Sequence, residues 1–76
     1  MDIIVKDIFA GTPEPGVIST WYYSSGDKVQ SGTIIAEVMI QKASFEIEAG
    51  KTGTLYVLLP EESEVTEGTK IGEIID

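Results

Sequence analysis

The sequence predicts an all-β domain, either a sandwich or a flattened barrel, built from two similar halves of about four strands each. Short runs of β-forming residues alternate with turn residues, and no stretch shows the i, i+3, i+4, i+7 apolar pattern of a helix. The second half of the chain also repeats the first. With 76 residues the chain forms one domain, 1–76, which buries only about 60% of its unfolded surface.

The expected strands follow from the distribution of β-formers and turn residues. Val, Ile, Tyr and Trp favour strands, whereas Gly, Pro, Ser and Asp interrupt them. The predicted strands are Ile3–Val5, Val17–Tyr23, a short strand within Lys28–Gly32, Ile34–Ile40, Ala43–Ala49, Thr54–Leu59, Glu64–Val65 and Lys70–Ile75. Turns are predicted at 24–27, 50–53, 60–63 and 67–68.

The most regular pattern is a hairpin formed by Ile34–Ile40 and Ala43–Ala49. Apolar residues occupy the even positions of the first arm and the odd positions of the second, as expected for half-buried strands. A two-residue loop, Gln41-Lys42, brings both apolar faces to the same side. A loop longer or shorter by one residue would expose one of these faces. The pattern therefore places Lys42 at the exposed tip of a tight hairpin.

One substantial loop is predicted, at Gly11–Gly16. Two glycines and two prolines within six residues are typical of a loop and unfavourable for a regular strand or helix. Loops often carry binding residues. The segment is therefore either a plain connector or a recognition loop.

A repeat relates the two halves of the chain. It aligns Gly16–Ile18 with Gly53–Leu55, Val29 with Val65 and Gly32–Val38 with Gly68–Ile74. Repeats of this kind often define an architecture more firmly than local propensity does. In a quasi-twofold molecule the central hairpin and the chain termini occupy equivalent positions at opposite ends, so Lys42 would point away from the termini.

The composition is strongly acidic, with 13 Asp and Glu against five Lys and a formal charge of −8. Because an acidic surface repels phosphate groups, neither nucleic acid nor an anionic membrane is an expected partner. The charge either serves solubility alone or meets basic partner proteins. No segment approaches the roughly 20 apolar residues of a membrane span, and the N-terminus lacks a secretory signal. We therefore expect a monomeric, soluble, intracellular domain.

The chain lacks the usual catalytic groups. It has no histidine and no cysteine, so the commonest general base and the soft metal ligands are absent, and no serine has a histidine to activate it. Glu61, Glu62, Glu64 and Glu67 lack the spacing of an EF-hand and predict a solvated acidic turn. Trp21 is interpreted as a core anchor. The chain is not expected to be an enzyme by itself.

Lys42 is the remaining candidate functional residue. Its turn lacks the Asn-Gly or Gly that favours a relaxed two-residue hairpin, so turn stability does not explain the sequence. The alternative interpretation is an ordinary surface lysine. An amine that projects from a rigid turn is accessible to a modifying enzyme. A flexible arm attached there would carry a reactive group between separate active sites.

From about Ile3 to Ile75 the sequence resembles the biotinyl/lipoyl-attachment domain family. The matching segments are Gly16-Val17-Ile18, Trp21, Gly26-Asp27-Lys28-Val29, Gly32, Ala36-Glu37-Val38, Gln41-Lys42-Ala43, Glu46-Ile47, Ala49 and Gly53. The resemblance implies a flattened barrel or sandwich of two four-stranded antiparallel sheets with quasi-twofold symmetry. It also implies that Lys42, flanked by Gln41 and Ala43, is the site of covalent cofactor attachment.

Two cofactors occur in this family, lipoic acid and biotin. Biotinyl domains typically carry the motif Ala-Met-Lys-Met, whereas Gln41-Lys42-Ala43 and Trp21 look more like lipoyl domains of 2-oxo acid dehydrogenase acyltransferases. The resemblance thus implies lipoic acid, with biotin or an unmodified interaction barrel as alternatives. Ile40 and Gln41 stand where Thr-Asp is usual, and Glu62 stands where a glycine is expected in the second-half turn.

The partners that the resemblance implies are a lipoate (or biotin) ligase or transferase and enzymes of the 2-oxo acid dehydrogenase type. The Gly11–Gly16 loop would contribute to their recognition. The domain would shuttle acyl groups between the active sites of such a complex, in the cytoplasm or, in a eukaryote, in the mitochondrial matrix.

Overall fold

The computed structural model describes residues 1–76 and consists of eight β-strands joined by turns and loops. The strands are β1 (Asp2–Val5), β2 (Gly16–Trp21), β3 (Lys28–Val29), β4 (Ile34–Ile40), β5 (Ala43–Glu48), β6 (Gly53–Val57), β7 (Glu64–Val65) and β8 (Thr69–Ile75). It contains no helix with the length and apolar character needed to cross a membrane. The predicted all-β fold class and the predicted order of strands are confirmed.

The strands form two four-stranded antiparallel sheets. Sheet A has the order β1-β8-β6-β3 and sheet B has the order β5-β4-β2-β7. Moving every strand four places along the chain converts the first order into the second, so a quasi-twofold axis relates the two sheets. The predicted internal symmetry is confirmed, and the two sheets form a flattened sandwich.

The symmetry extends to individual backbone hydrogen bonds. The amide of Gly26 donates to the carbonyl of Leu55, and the amide of Glu62 donates to the carbonyl of Ile18, each at 2.7 Å. Gly26 and Glu62 also share a left-handed backbone conformation, with φ angles of 97° and 73°. The sequence repeat is thus also a repeat of backbone structure.

The core lies between the two sheets and draws equivalent aliphatic side chains from both halves. Its symmetric pairs are Ile18 and Leu55, Ile35 and Ile71, Val38 and Ile74, and Val29 and Val65. Full burial of one such side chain contributes about 1.5–3 kcal/mol. Trp21 packs against this core, and its indole Nε1–H donates to the carbonyl of Leu59 at 2.9 Å. The predicted anchoring role of Trp21 is confirmed.

The strands depart from the prediction at three places. The register between β4 and β5 shifts between Ile34 and Ala36, and Ile35 and Ala36 are both buried whereas Ile34 is only half-buried. The prediction that Ile34 belongs to the buried face is therefore wrong, because a bulge puts one extra residue into β4. β2 and β6 end before Tyr22-Tyr23 and Leu58-Leu59, which were expected to continue them.

The halves differ most in the connections that precede β2 and β6. Residues 6–15 join β1 to β2, whereas only residues 49–52 join β5 to β6. The longer loop folds back onto the molecule, since Phe9 is buried in the core and Ile8 packs against it. Most of the predicted Gly11–Gly16 loop lies here, but Gly16 is a buried residue at the start of β2.

Candidate functional site

The β4–β5 hairpin has the register that the sequence predicts. Its paired residues include Ile40 with Ala43, Val38 with Phe45 and Ala36 with Ile47. Gln41 and Lys42 form the two-residue turn. Gln41, Lys42 and Ala43 are all exposed and are together called the tip. The three residues predicted for the site are therefore adjacent and accessible.

The turn has an unfavourable conformation at its first residue. Gln41 has a φ of 55°, whereas the φ of Lys42 is not positive. Positive φ at only the first central residue is the pattern of a type II′ turn, which prefers glycine there. A non-glycine residue in this conformation costs on the order of 1 kcal/mol. The paired strands must therefore impose the turn geometry. The backbone of Lys42 is held in place as a result.

The Lys42 ammonium group makes no hydrogen bond or ion pair with the rest of the chain. All the ion pairs of the structure belong to two other lysines, Lys51 and Lys70. Contacts with Glu73 and Asp2 hold Lys70 in place and raise the pKa of its ammonium group. The Lys42 amine, in contrast, can react without breaking any existing interaction.

The tip and the chain termini lie at opposite ends of the hairpin. Met1 lies against Gly50, just beyond the end of β5, and its amino group donates to the carbonyl of Ile74 at 2.7 Å. Lys51 lies 2.6 Å from the carboxylate of Asp76 and lowers its pKa. β5 contains six residues and is therefore about 20 Å long. This separation agrees with the arrangement expected from the repeat.

A shallow, largely apolar pocket of about 200 Å³ lies beside the tip. The hairpin lines it with Ile40, Gln41, Ala43 and Phe45, and the β1–β2 loop lines it with Ile8, Phe9, Ala10 and Thr12. The start of β2, directly after the loop, also approaches the hairpin closely, since a Cβ at Gly16 would lie 3.0 Å from Cγ1 of Ile40. The loop and the hairpin therefore form one continuous surface that includes Gln41 and Ala43, the neighbours of Lys42.

The sequence predicts the tip and the Gly11–Gly16 loop, which contributes Thr12 to this pocket, but it does not predict the contribution of Ile8, Phe9 and Ala10. Ile8 and Phe9 precede the Gly11–Gly16 segment and lie outside the residues that the sequence predicts for the site. The only signal for them is a pair of large apolar residues between a strand and a loop rich in Gly and Pro. Such a pair predicts burial but does not indicate which part of the molecule covers it.

Two carboxylates of the predicted acidic turn have structural roles. Glu61 accepts a hydrogen bond from the backbone amide of Trp21 at 2.9 Å. Glu67 accepts one from the amide of Asp7 in the β1–β2 loop at 3.1 Å. Both residues are exposed, as predicted for a solvated turn, and their hydrogen bonds also join the second half of the chain to the first.

Known proteins resemble this chain over most of its length. The family model Biotin_lipoyl, described as "Biotin-requiring enzyme", matches residues 10–74. The chain is 41% identical over 68 residues to the pyruvate dehydrogenase E1 component subunit beta of Rhizobium meliloti (strain 1021), covering 90% of this chain and 14% of that protein. It is 39% identical over 72 residues to the dihydrolipoyllysine-residue acetyltransferase component of the pyruvate dehydrogenase complex from the same organism. That match covers 95% of this chain and 16% of the acetyltransferase component.

A third relative and a solved structure extend these similarities. The chain is 40% identical over 60 residues to the lipoamide acyltransferase component of the branched-chain alpha-keto acid dehydrogenase complex of Bacillus subtilis (strain 168). That match covers 79% of this chain and 13% of the acyltransferase component. The solution structure of the lipoyl domain of the 2-oxoglutarate dehydrogenase complex from Azotobacter vinelandii has the same fold, with a TM-score of 0.76. It is 23% identical, and the match covers 97% of this chain and 96% of that domain. The chain spans between 13% and 16% of the length of the three sequence relatives.

Proposed function

The chain belongs to the family of biotin- and lipoyl-attachment domains, and we propose that it is a lipoyl carrier domain whose Lys42 bears the cofactor. The observation that carries this proposal is a free lysine at the centre of a rigid, exposed two-residue turn. The ammonium has no partner that a modifying enzyme would have to displace, and the turn holds the backbone on both sides. These properties suit a covalently attached arm.

The other lysines are less suitable for attachment. Lys51 and Lys70 form ion pairs, and their side chains are only about one-third exposed, at 36% each. Lys28 lies in the short strand β3, and Lys6 lies in the β1–β2 loop. None of these four residues is in a hairpin turn, so none has the projecting position of Lys42.

The cofactor is proposed to be lipoic acid, with biotin as the alternative. Two of the relatives described above are named for a dihydrolipoyllysine residue or a lipoamide substrate. The tip sequence Gln41-Lys42-Ala43 also lacks the two methionines that flank the lysine of biotinyl domains. The relatives and the tip sequence thus favour the same cofactor.

The carrier role follows from the position of the arm. When attached, lipoic acid supplies a dithiolane that accepts an acyl group as its disulfide is reduced and releases the group at another active site. The domain holds the end of the arm and so maintains a high effective concentration of it near the partner enzymes. By analogy with the relatives, those partners are enzymes of a 2-oxo acid dehydrogenase complex.

Intact-mass and peptide mass spectrometry of the chain, expressed in a host that lipoylates proteins, tests the proposal. We expect one lipoyl group on Lys42 in the wild-type domain and none in Lys42→Arg, which keeps the charge. Lys28→Arg is the matched control and should be modified like wild type. A biotinyl group on Lys42 would identify the alternative cofactor, and an unmodified Lys42 in a competent host would contradict both assignments.

The proposed partner recognition requires a separate experiment. The side chains of Pro13, Glu14 and Pro15 are exposed in the β1–β2 loop, whereas Phe9 supports the core. Replacing these three exposed residues with alanine should leave lipoylation intact but slow reductive acylation by a 2-oxo acid decarboxylase component, measured with pyruvate and with 2-oxoglutarate. Unchanged acylation would show that the loop does not contribute to recognition.

A further inference from the structure

The outer faces of the two sheets carry equivalent pairs of acidic residues. In sheet A, Asp2 of β1 is paired with Glu73 of β8, and in sheet B, Glu46 of β5 is paired with Glu37 of β4. The quasi-twofold axis relates the two pairs, and a register shift follows each of them along the strands. Like charges directly opposite each other on neighbouring strands are destabilising. Each pair therefore favours a cation close to it.

Sheet A supplies that cation from its own sequence. The Lys70 ammonium lies 3.0 Å from Oδ1 of Asp2 and 2.5 Å from Oε1 of Glu73, and so bridges the two carboxylates. The residue equivalent to Lys70 in sheet B is Ile34, because each immediately precedes the bulged residue of its strand, Ile71 in β8 and Ile35 in β4. No lysine of the chain lies within ion-pair distance of the sheet B carboxylates.

The carboxylates of the sheet B pair remain available to a ligand. Glu37 uses one oxygen to accept a hydrogen bond from the hydroxyl of Ser19 at 2.8 Å. Glu46 is exposed and has no hydrogen-bond or ion-pair partner within the chain. An open groove of about 470 Å³ adjoins it, lined by Tyr22, Tyr23, Ile34 and Glu46.

We propose that this tyrosine groove binds an arginine side chain of a partner protein, which takes the place that Lys70 occupies in sheet A. A guanidinium donates hydrogen bonds to more than one carboxylate oxygen and stacks on aromatic rings, so it suits a groove lined by Glu46 and two tyrosines. The net charge of −8 attracts basic protein surfaces to the domain. The sequence therefore provides both long-range attraction and a local binding site.

The tyrosine groove is distinct from the tip and does not depend on a cofactor at Lys42. Glu46 lies four residues from Lys42 along one strand, which is about 13 Å. A partner that held the groove would thus position the tip close to its own surface without contacting Lys42. The proposed docking and the proposed lipoylation can be tested separately in the same protein.

A peptide titration followed by NMR tests the docking site. The probe is acetyl-Gly-Arg-Gly-amide, added to the ¹⁵N-labelled 76-residue chain at low ionic strength, and the control probe carries neutral citrulline in place of arginine. We expect saturable shifts centred on Tyr22, Tyr23 and Glu46, which weaken as salt is added. Equal shifts with the citrulline peptide would overturn the proposal.

Three variants locate the interaction. Glu46→Gln should weaken binding about two- to fivefold, the value for loss of one exposed ion pair. Ile34→Lys should abolish it, because the new ammonium would bridge Glu37 and Glu46 as Lys70 bridges its own pair. Glu64→Gln is the matched control, since it removes one exposed charge from β7 of the same sheet, and it should bind like wild type.

Several results would overturn the assignment to a partner arginine. Equal weakening by Glu46→Gln and Glu64→Gln would mean that the peptide responds only to net charge. Shifts of the same resonances with protein concentration alone would assign the groove to a second copy of the chain. Displacement of the peptide by magnesium chloride at constant ionic strength would assign it to a metal ion.

Discussion

Sheets A and B have the same topology but differ in how their surface charges are used. Every ion pair of the molecule involves Lys70 of sheet A or Lys51, which bonds to the terminal Asp76 beside that sheet. Sheet B carries no ion pair and instead presents the free Lys42 at its tip and the unpartnered Glu46 on its face. The two sheets thus enclose one core, while two lysines at sheet A are paired with carboxylates and Lys42 and Glu46 of sheet B have no ion-pair partner.

The largest expected effect tests whether equivalent core residues of the two sheets contribute equally to the free energy of unfolding. Ile35 and Ile71 are equivalent bulge residues, both with no exposed surface. Ile35→Ala and Ile71→Ala should each lower the free energy of unfolding by about 2–5 kcal/mol, because each leaves a cavity between the sheets. Urea denaturation measures both values under the same conditions. A difference of more than about 2 kcal/mol between them would contradict an equal contribution of the two halves.

An intermediate effect is expected at the equivalent turns that contain Gly26 and Glu62. Glu62→Gly should raise the free energy of unfolding by about 0.5–1 kcal/mol, because glycine adopts the left-handed conformation without the cost that glutamate incurs. Gly26→Ala should lower it by about 1 kcal/mol, and no heavy atom lies within 4 Å of the added Cβ. Thermal unfolding measures both changes.

Glu62→Ala separates backbone conformation from charge at the same position. It removes the carboxylate but keeps a residue that is unfavourable at positive φ. We expect no stabilisation comparable to that of Glu62→Gly. An equal gain in both variants would attribute the effect to charge and not to the backbone.

The smallest expected effect concerns the ion pairs of sheet A. Glu73, and to a lesser extent Asp2, raise the pKa of Lys70 above its ordinary 10.5. A raised pKa in the folded state means that this contribution to stability is present below pH 10.5 and is lost as the pH rises through the folded value. Wild type should therefore lose more stability above pH 10.5 than Lys70→Met does, by a small amount because the ion pairs are near the surface.

Lys28→Met provides the control for this measurement, since Lys28 forms no ion pair. Its unfolding free energy should fall along the same alkaline curve as that of wild type. If Lys70→Met also follows that curve, the bridge between Asp2 and Glu73 does not contribute to stability. Added salt should reduce the difference between Lys70→Met and wild type.

Local sequence patterns were sufficient to predict the hairpin and the tip. Side chains of a strand alternate between two faces, so only a two-residue loop at Gln41-Lys42 keeps both apolar faces together. The observed pairing of Ile40 with Ala43 agrees with this parity. The repeat likewise predicted the quasi-twofold relation, because both halves use the same spacing of Gly and Val.

Features that depend on distant contacts were not predictable in the same way. The bulge at Ile35 disrupts alternation, and the sequence Ile34-Ile35 is apolar at both positions and does not indicate which one is buried. Phe9 is buried because the β1–β2 loop folds back, which no local pattern specifies. The bridge by Lys70 requires that Asp2, from the other end of the chain, lie on the neighbouring strand.

The strand order described above also determines how the domain can fold. Among all paired strands, only β4 and β5 are neighbours along the chain, whereas β1 must pair with β8. Pairing distant segments requires closure of long loops before contacts compensate for the lost entropy, so we expect folding in milliseconds to seconds. During synthesis on the ribosome, sheet A cannot be completed until β8 has emerged. Sheet B, with the hairpin that carries Lys42, needs no strand beyond β7 and can therefore be completed earlier.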